Sequence, residues 1–172
     1  LTSYEKGDYD EAAVEFELFL EFHPGHKMAP KAQYYVAMSK FNSYPSPERD
    51  ITLAREAKSE LEQFLRTYPD HPDVEQVRSY RIEVIDHLQT HEIEVARVYY
   101  RRGNYTAALL RLDPIQKTEA SPEIKQEALY LTARTYEKQD DPENARVYYQ
   151  QVIDTGIDND LSEKARRELN RF

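Results

Sequence analysis

Cysteine and tryptophan are absent from the 172 residues, and glycine occurs only four times. Without cysteine there is no disulfide, no thiolate metal site and no cysteine nucleophile. Compartment stays open, since cytosolic and periplasmic proteins alike can lack it. Gly7, Gly25, Gly103 and Gly156 are too dispersed for a phosphate loop, a Gly-x-Gly-x-x-Gly turn or a Gly-x-Ser-x-Gly elbow. No run approaches the roughly 18 apolar residues of a membrane span, and strand signals are missing. Positive charge is also short: the net charge is −9 with 32 % of residues charged, which argues against a phosphate-neutralising surface and extended nucleic-acid binding.

What is present is helical punctuation. At 40 % hydrophobic, the chain can bury one core of ordinary size or a continuous stack of repeats. Pro30, Pro122 and Pro142 stand where helices begin, with Ser121 and Asp141 as N-caps before the last two, while Pro24 and Pro69 follow helix ends. Asp160 with Glu163 reads as a capping-box start for a final helix reaching Arg171. Between these signals one pattern recurs: Ala12, Phe16, Phe19; Ala57, Leu61, Phe64; Ala108, Leu112, Ile115; Ala145, Tyr149, Val152. An alanine followed by large apolar residues at i+4 and i+7 marks one helix face, the small residue admitting a neighbouring helix and the large ones filling the gap beside it.

Each set reads as the second helix of a hairpin. Three are preceded by matching turns, Glu5 to Tyr9, Arg101 to Tyr105 and Glu137 to Asp141. The alanines are 45, 51 and 37 residues apart, against about 34 for a regular tetratricopeptide repeat, so the repeats carry insertions. One such insertion is Tyr44-Pro45-Ser46-Pro47-Glu48-Arg49-Asp50, and an unbroken helix is expected from about Asp73 to Arg102. Pro114 should end or kink its helix near Asp113. The expected fold is all-α: a single tetratricopeptide-repeat solenoid over 1–172, with about three and a half to four repeats (1–24, 29–69, 73–118, 121–156) and a terminal helix at 160–171.

Lys6-Gly7-Asp8-Tyr9-Asp10-Glu11-Ala12, with Phe16, Phe19 and Pro24, looks like the second half of a tetratricopeptide repeat. The stretch from Glu94 to Arg111, with Tyr99-Tyr100-Arg101-Arg102-Gly103 before Ala108 and Arg111, is similar to the fourth-repeat pattern of the BamD family of outer-membrane assembly lipoproteins. The resemblance extends over nearly the whole chain. It implies a chain that starts within the family's second repeat, without the lipid-bearing cysteine. Leu1, Tyr4 and Tyr9 would then present bare apolar surface and drive concentration-dependent association. It also implies a scaffold at the periplasmic face of the outer membrane, tethered by a lipid anchor absent from this segment. That scaffold would couple the BamA insertase to accessory Bam lipoproteins and to unfolded outer-membrane proteins.

Residues 97–111 contain Arg97, Arg101, Arg102 and Arg111 and no acid. Arg101 and Arg102 are explained by the negative end of the long helix. Arg97 and Arg111 are left for a partner's carboxylates. The resemblance places Arg97, Tyr100, Arg101, Arg102 and Arg111 at a BamA-like interface. Fourteen tyrosines against six phenylalanines supply bulk with a polar tip. Tyr34, Tyr35 and Tyr80, on first helices, are groove candidates for peptide binding, with core packing the plainer reading. Of the adjacent Tyr99 and Tyr100, one should pack inward and the other face out. His87 and His91, at i and i+4, lack the His-Glu-x-x-His pattern and read as a surface pair. Acidic pairs such as Asp140 with Asp141, or Glu92 with Glu94, read as caps or a solvated face. No catalytic residue, cofactor or metal ligand is expected. The competing functional reading is another tetratricopeptide adaptor, serving cell-envelope or peptidoglycan coordination or organising a cytosolic complex.

Overall fold

The computed structural model describes residues 1–43 and 51–171. Among them the chain forms nine α-helices, one 3-10 helix and no strand. In order these are α1 (Thr2–Lys6), α2 (Tyr9–Phe22), α3 (Ala29–Asn42), α4 (Ile51–Thr67), α5 (Val74–Arg101), α6 (Tyr105–Leu112), the 3-10 turn Asp113–Lys117, α7 (Pro122–Lys138), α8 (Pro142–Asp154) and α9 (Asp160–Leu169). The fold is all-α and of the helical-hairpin kind. The insertion expected at 44–50 lies outside the described residues. Two compact units divide the chain, Leu1–Leu88 and Gln89–Phe172, and the boundary falls within α5.

Hairpin formation begins at the turns. Gly7 and Gly103 both sit in the left-handed region, at φ 86° and 76°. The third turn uses Asp140, at φ 58°, the one non-glycine residue with positive φ among the described residues. All three positions lie five residues before a repeat alanine. Their hydrogen bonds are the same: the amide of the following residue reaches back five positions, Asp8 N to Ser3 O (2.9 Å), Asn104 N to Tyr99 O (3.0 Å) and Asp141 N to Tyr136 O (3.0 Å). This is the Schellman closure of a helix end. It aligns Asp140, not Gln139, with the two glycines, a one-residue correction to the sequence register of the third turn.

Packing follows the repeat. Ala12, Ala57, Ala108 and Ala145 are all fully buried. So are Leu61 with Phe64, Leu112 with Ile115 and Tyr149 with Val152, whereas Phe16 and Phe19 are only half-buried. In the first unit α1 packs on α2, α2 on α3 and α3 on α4. Its core gathers Ala57, Leu61 and Phe64 with Val77 and Val84 of α5. The second unit has two clusters, one joining Ile93 and Ala96 to Ala108, Leu112 and Ile115, the other joining Leu129 and Ala133 to Ala145, Tyr149 and Ala165. Tyr99 and Tyr100 both pack half-buried against the first of these, so the expected inward and outward split is not seen.

Several boundaries have local causes. Pro30 lies in the first turn of α3, and Pro122 and Pro142 open α7 and α8. Asp141 caps α8 by accepting from Asn144 N (3.1 Å), but Ser121 holds the N-cap position of α7 without a side-chain cap bond. α9 is capped one residue earlier than expected, by Asn159, whose Oδ1 accepts from Leu161 N and Ser162 N at 3.1 Å each. Asp160 is instead the first helical residue. Pro114, lacking an N–H, ends α6 after Leu112 and turns the chain into 3-10 geometry.

The junctions between hairpins repeat too. His26 Nδ1 accepts from Met28 N (3.1 Å) and His71 Nδ1 from Asp73 N (3.2 Å). Each imidazole lies edge-on to the phenylalanine seven residues earlier, Phe19 at 5.5 Å and Phe64 at 5.2 Å.

A candidate docking surface in the second unit

The basic stretch begins in the last turns of α5, crosses the Gly103 turn and ends on α6. Two of its four arginines are neutralised within the unit. Arg97 donates from one nitrogen to Glu94 and from another to Glu127 on α7. Arg111 donates to Glu92 on α5 at 3.2 Å, with 47 % of its side chain exposed. Arg101 and Arg102 are exposed and have no side-chain partner among the described residues. The residues assigned to helix-end complementation hold the unspent charge, while the two left over for a partner already have carboxylates.

Arg97 and Tyr100 do not share surroundings with the other three. They line a cavity of about 300 Å³ between α5, α7 and α9, to which Arg101, Arg102 and Arg111 do not contribute. From α7 the cavity receives Glu127, Tyr130, Leu131 and Arg134, which share one helix face by spacing. Leu161 and Lys164 of α9 close it. Nothing in the sequence tied these residues to Arg97.

Arg134 anchors this wall. Glu137 Oε2 stands 3.4 Å from its Nε, and the Tyr149 hydroxyl donates to the same oxygen at 2.9 Å. Nε itself is closed to solvent and makes no hydrogen bond. Burial works to lower the Arg134 pKa, but its bond to the Tyr130 hydroxyl and the nearby Tyr100 and Tyr149 outweigh that and raise it further above its ordinary value. Burial and the bond to Glu137 push the Tyr149 hydroxyl well above the usual phenol range. Both shifts favour the protonated forms.

The groove tyrosines belong to the first unit. Tyr35 stacks on Phe16 (5.0 Å, 14° between planes) and meets Tyr4 and Tyr34 edge-on. Lys31 Nζ lies 5.9 Å over its ring. Tyr34 and Tyr80 pack against the core cluster, Tyr34 near Phe64 and Tyr80 near Phe41. Desolvation lifts the Tyr34 hydroxyl to about 12. All three are half-buried, with ring packing as their main engagement. Tyr4 and Tyr9 also face each other edge-on at 5.3 Å, and Asn42 donates to the Tyr4 hydroxyl. The bare surface expected there is thus confined to Leu1, which is 46 % exposed.

Hairpins closed by repeated Schellman turns, alanine-centred second helices and surfaces rich in tyrosine and arginine define an all-α repeat protein of the tetratricopeptide type. The family described as outer membrane lipoprotein, YfiO, matches residues 2–151, and the chain belongs to that family. Its curated relatives include the outer membrane protein assembly factor BamD of Neisseria gonorrhoeae, 26 % identical over 152 residues, covering 83 % of this chain and 57 % of the relative. The protein of the same name from Caulobacter vibrioides is 25 % identical over 133 residues, covering 77 % of this chain and 44 % of the relative. That from Haemophilus influenzae is 28 % identical over 90 residues, with 52 % and 34 % covered. These names are those of an assembly factor and not of an enzyme. The chain spans about half the length of the curated relatives it matches. No helix among the described residues is long and apolar enough to cross a membrane.

Proposed function

We propose that this chain is a non-catalytic scaffold of the outer-membrane β-barrel assembly complex, one tetratricopeptide-repeat domain acting at the periplasmic face of the outer membrane. It couples the BamA insertase to accessory Bam lipoproteins and to unfolded barrel substrates. Family membership and the relatives' names support the assembly role. The observation that supports docking through the second unit is the pair Arg101 and Arg102, exposed and without a side-chain partner among the described residues, together with the half-exposed Arg111. Unpaired guanidiniums present bidentate donors to a partner's carboxylates, and Arg111 can exchange Glu92 for a better-placed acid. Tyr34, Tyr35 and Tyr80 remain peptide-contact proposals, as aromatic side chains that are only half-buried.

Calorimetric titration of this chain with the last periplasmic domain of BamA from the same organism tests the reading. Binding should weaken at least tenfold, about 1.4 kcal/mol, with Arg101→Glu plus Arg102→Glu, and comparably with Arg111→Glu. Raised salt should reduce the difference between wild type and variants. A folded chain that does not bind at all would leave an adaptor for a different partner.

A further inference from the structure

We propose that the α5–α7–α9 cavity of the second unit is a separate binding site for an acidic side chain on an extended segment of a partner protein. This goes beyond the docking role proposed for Arg101, Arg102 and Arg111, none of which lines the cavity.

The charge balance of the walls points to a carboxylate. Three cations, Arg97, Arg134 and Lys164, face one carboxylate, Glu127, in a chain whose net charge is −9. The acids that offset them, Glu94, Glu137 and Asp160, stand outside the lining. Arg97–Glu94 and Lys164–Asp160 are pairs within single helices with more than a third of each side chain exposed, a class that contributes little and exchanges readily. A guanidinium also has more N–H donors than the partners of Arg97 and Arg134 use. Arg134 Nε is shut from water and already faces Glu137 Oε2 at 3.4 Å, so an incoming acceptor is left to the terminal nitrogens of a side chain that is 38 % exposed.

The remaining walls define the rest of the ligand. Tyr100 and Tyr130 offer hydroxyls and ring faces, and Leu131 and Leu161 an apolar patch, so an apolar residue flanking the acid is accommodated. About 300 Å³ holds an acidic side chain with part of a neighbour. Among the described residues no Asn or Gln lines the cavity to hold the backbone amide beside a chain terminus, so an acid on a flexible stem fits better than a free C-terminal carboxylate.

The test uses three tripeptides: acetyl-Leu-Glu-Leu amide, acetyl-Leu-Gln-Leu amide and acetyl-Leu-Gln-Leu with a free carboxyl terminus. Binding is followed by NMR shifts of the Arg134 Nε–Hε group and the Tyr130 ring. The Glu peptide should move both and bind at least tenfold more tightly than the Gln amide. Arg134→Met should abolish the difference, Arg134→Lys should restore part of it, and Lys164→Met, at an exposed position, should weaken the Glu peptide several-fold without disturbing the helical circular dichroism. Lys164→Met should leave the BamA-domain titration unchanged, which separates failure here from failure of the docking reading. Equal affinity for the Glu peptide and the Gln amide, or an unaltered Glu-peptide affinity in folded Lys164→Met, overturns the site. Tighter binding of the free-terminus peptide than of the Glu peptide overturns the side-chain assignment.

Discussion

Gln126→Leu should loosen α9 by removing the amide that orients its cap. Gln126 is fully buried in α7, and its Nε2 lies 3.0–3.3 Å from Val152 O, Thr155 Oγ1, Ile157 O and Ser162 Oγ. Its Oε1 accepts from Asn159 Nδ2 at 2.7 Å, and Asn159 in turn caps α9. Two amide hydrogens serve four acceptors, so the donor side amounts to about two net bonds and the acceptor side to one. At about 0.5–1.5 kcal/mol each, the gross loss is about 1.5–4.5 kcal/mol. Two acceptors keep other donors, Val152 O the Thr155 hydroxyl and Ile157 O the Ser162 hydroxyl. Leucine replaces the volume, so no cavity cost is added. The expected net destabilisation is about 2 kcal/mol. Urea unfolding gives the total, and native-state hydrogen exchange at the Leu161 and Ser162 amides reports where it is felt. Asn159→Ala should expose the same amides, and the double variant should cost less than the sum of the two singles. A loss below about 0.5 kcal/mol, or strict additivity, would refute the view that Gln126 acts through the cap.

Asp140→Gly should stabilise the chain by about 0.5–1 kcal/mol in thermal or urea unfolding, because glycine occupies φ 58° without the strain that a side chain brings. Gly103→Ala should cost about 1–2 kcal/mol although its new Cβ would meet nothing within 4 Å, the penalty being conformational alone. Glu60→Gln should raise stability at neutral pH. Burial, then the nearby Glu17, lifts the Glu60 carboxyl above its ordinary 4.5, so ionisation disfavours the folded state once pH passes that value. Glutamine keeps an oxygen for the bond from Gln33 Nε2 (2.9 Å), and the two proteins should match below about pH 4 and diverge as pH rises, in melting temperatures measured across that range.

The helices and most of their limits were legible in the sequence because proline, glycine and the alanine-centred triplets act within one or two turns. Pro114 announced the end of α6, and the long α5 was recognisable from Asp73 onward. The register of the third turn was not, since aspartate at a left-handed position is chemically unmarked beside Gln139 and Asp141. Asn159 was passed over for Asp160 because adjacent cap-forming residues differ only in backbone geometry. The docking surface was half legible. A run of arginines can be counted in a sequence, but Glu92 and Glu127, which neutralise Arg111 and Arg97, lie 19 and 30 residues away along the chain. Tyr130, Arg134 and Lys164 came to the cavity from α7 and α9, and only tertiary packing could join them to Arg97.

Because helices within each unit pack chiefly on their sequence neighbours, most stabilising contacts close short loops of chain. Order can therefore spread from any one hairpin to the next, and the search that slows proteins with distant pairings is largely avoided. Damage should be parochial for the same reason: a turn lost at Gly103 or Asp140 frees its own pair of helices first, leaving neighbouring hairpins as a template on which that pair re-forms.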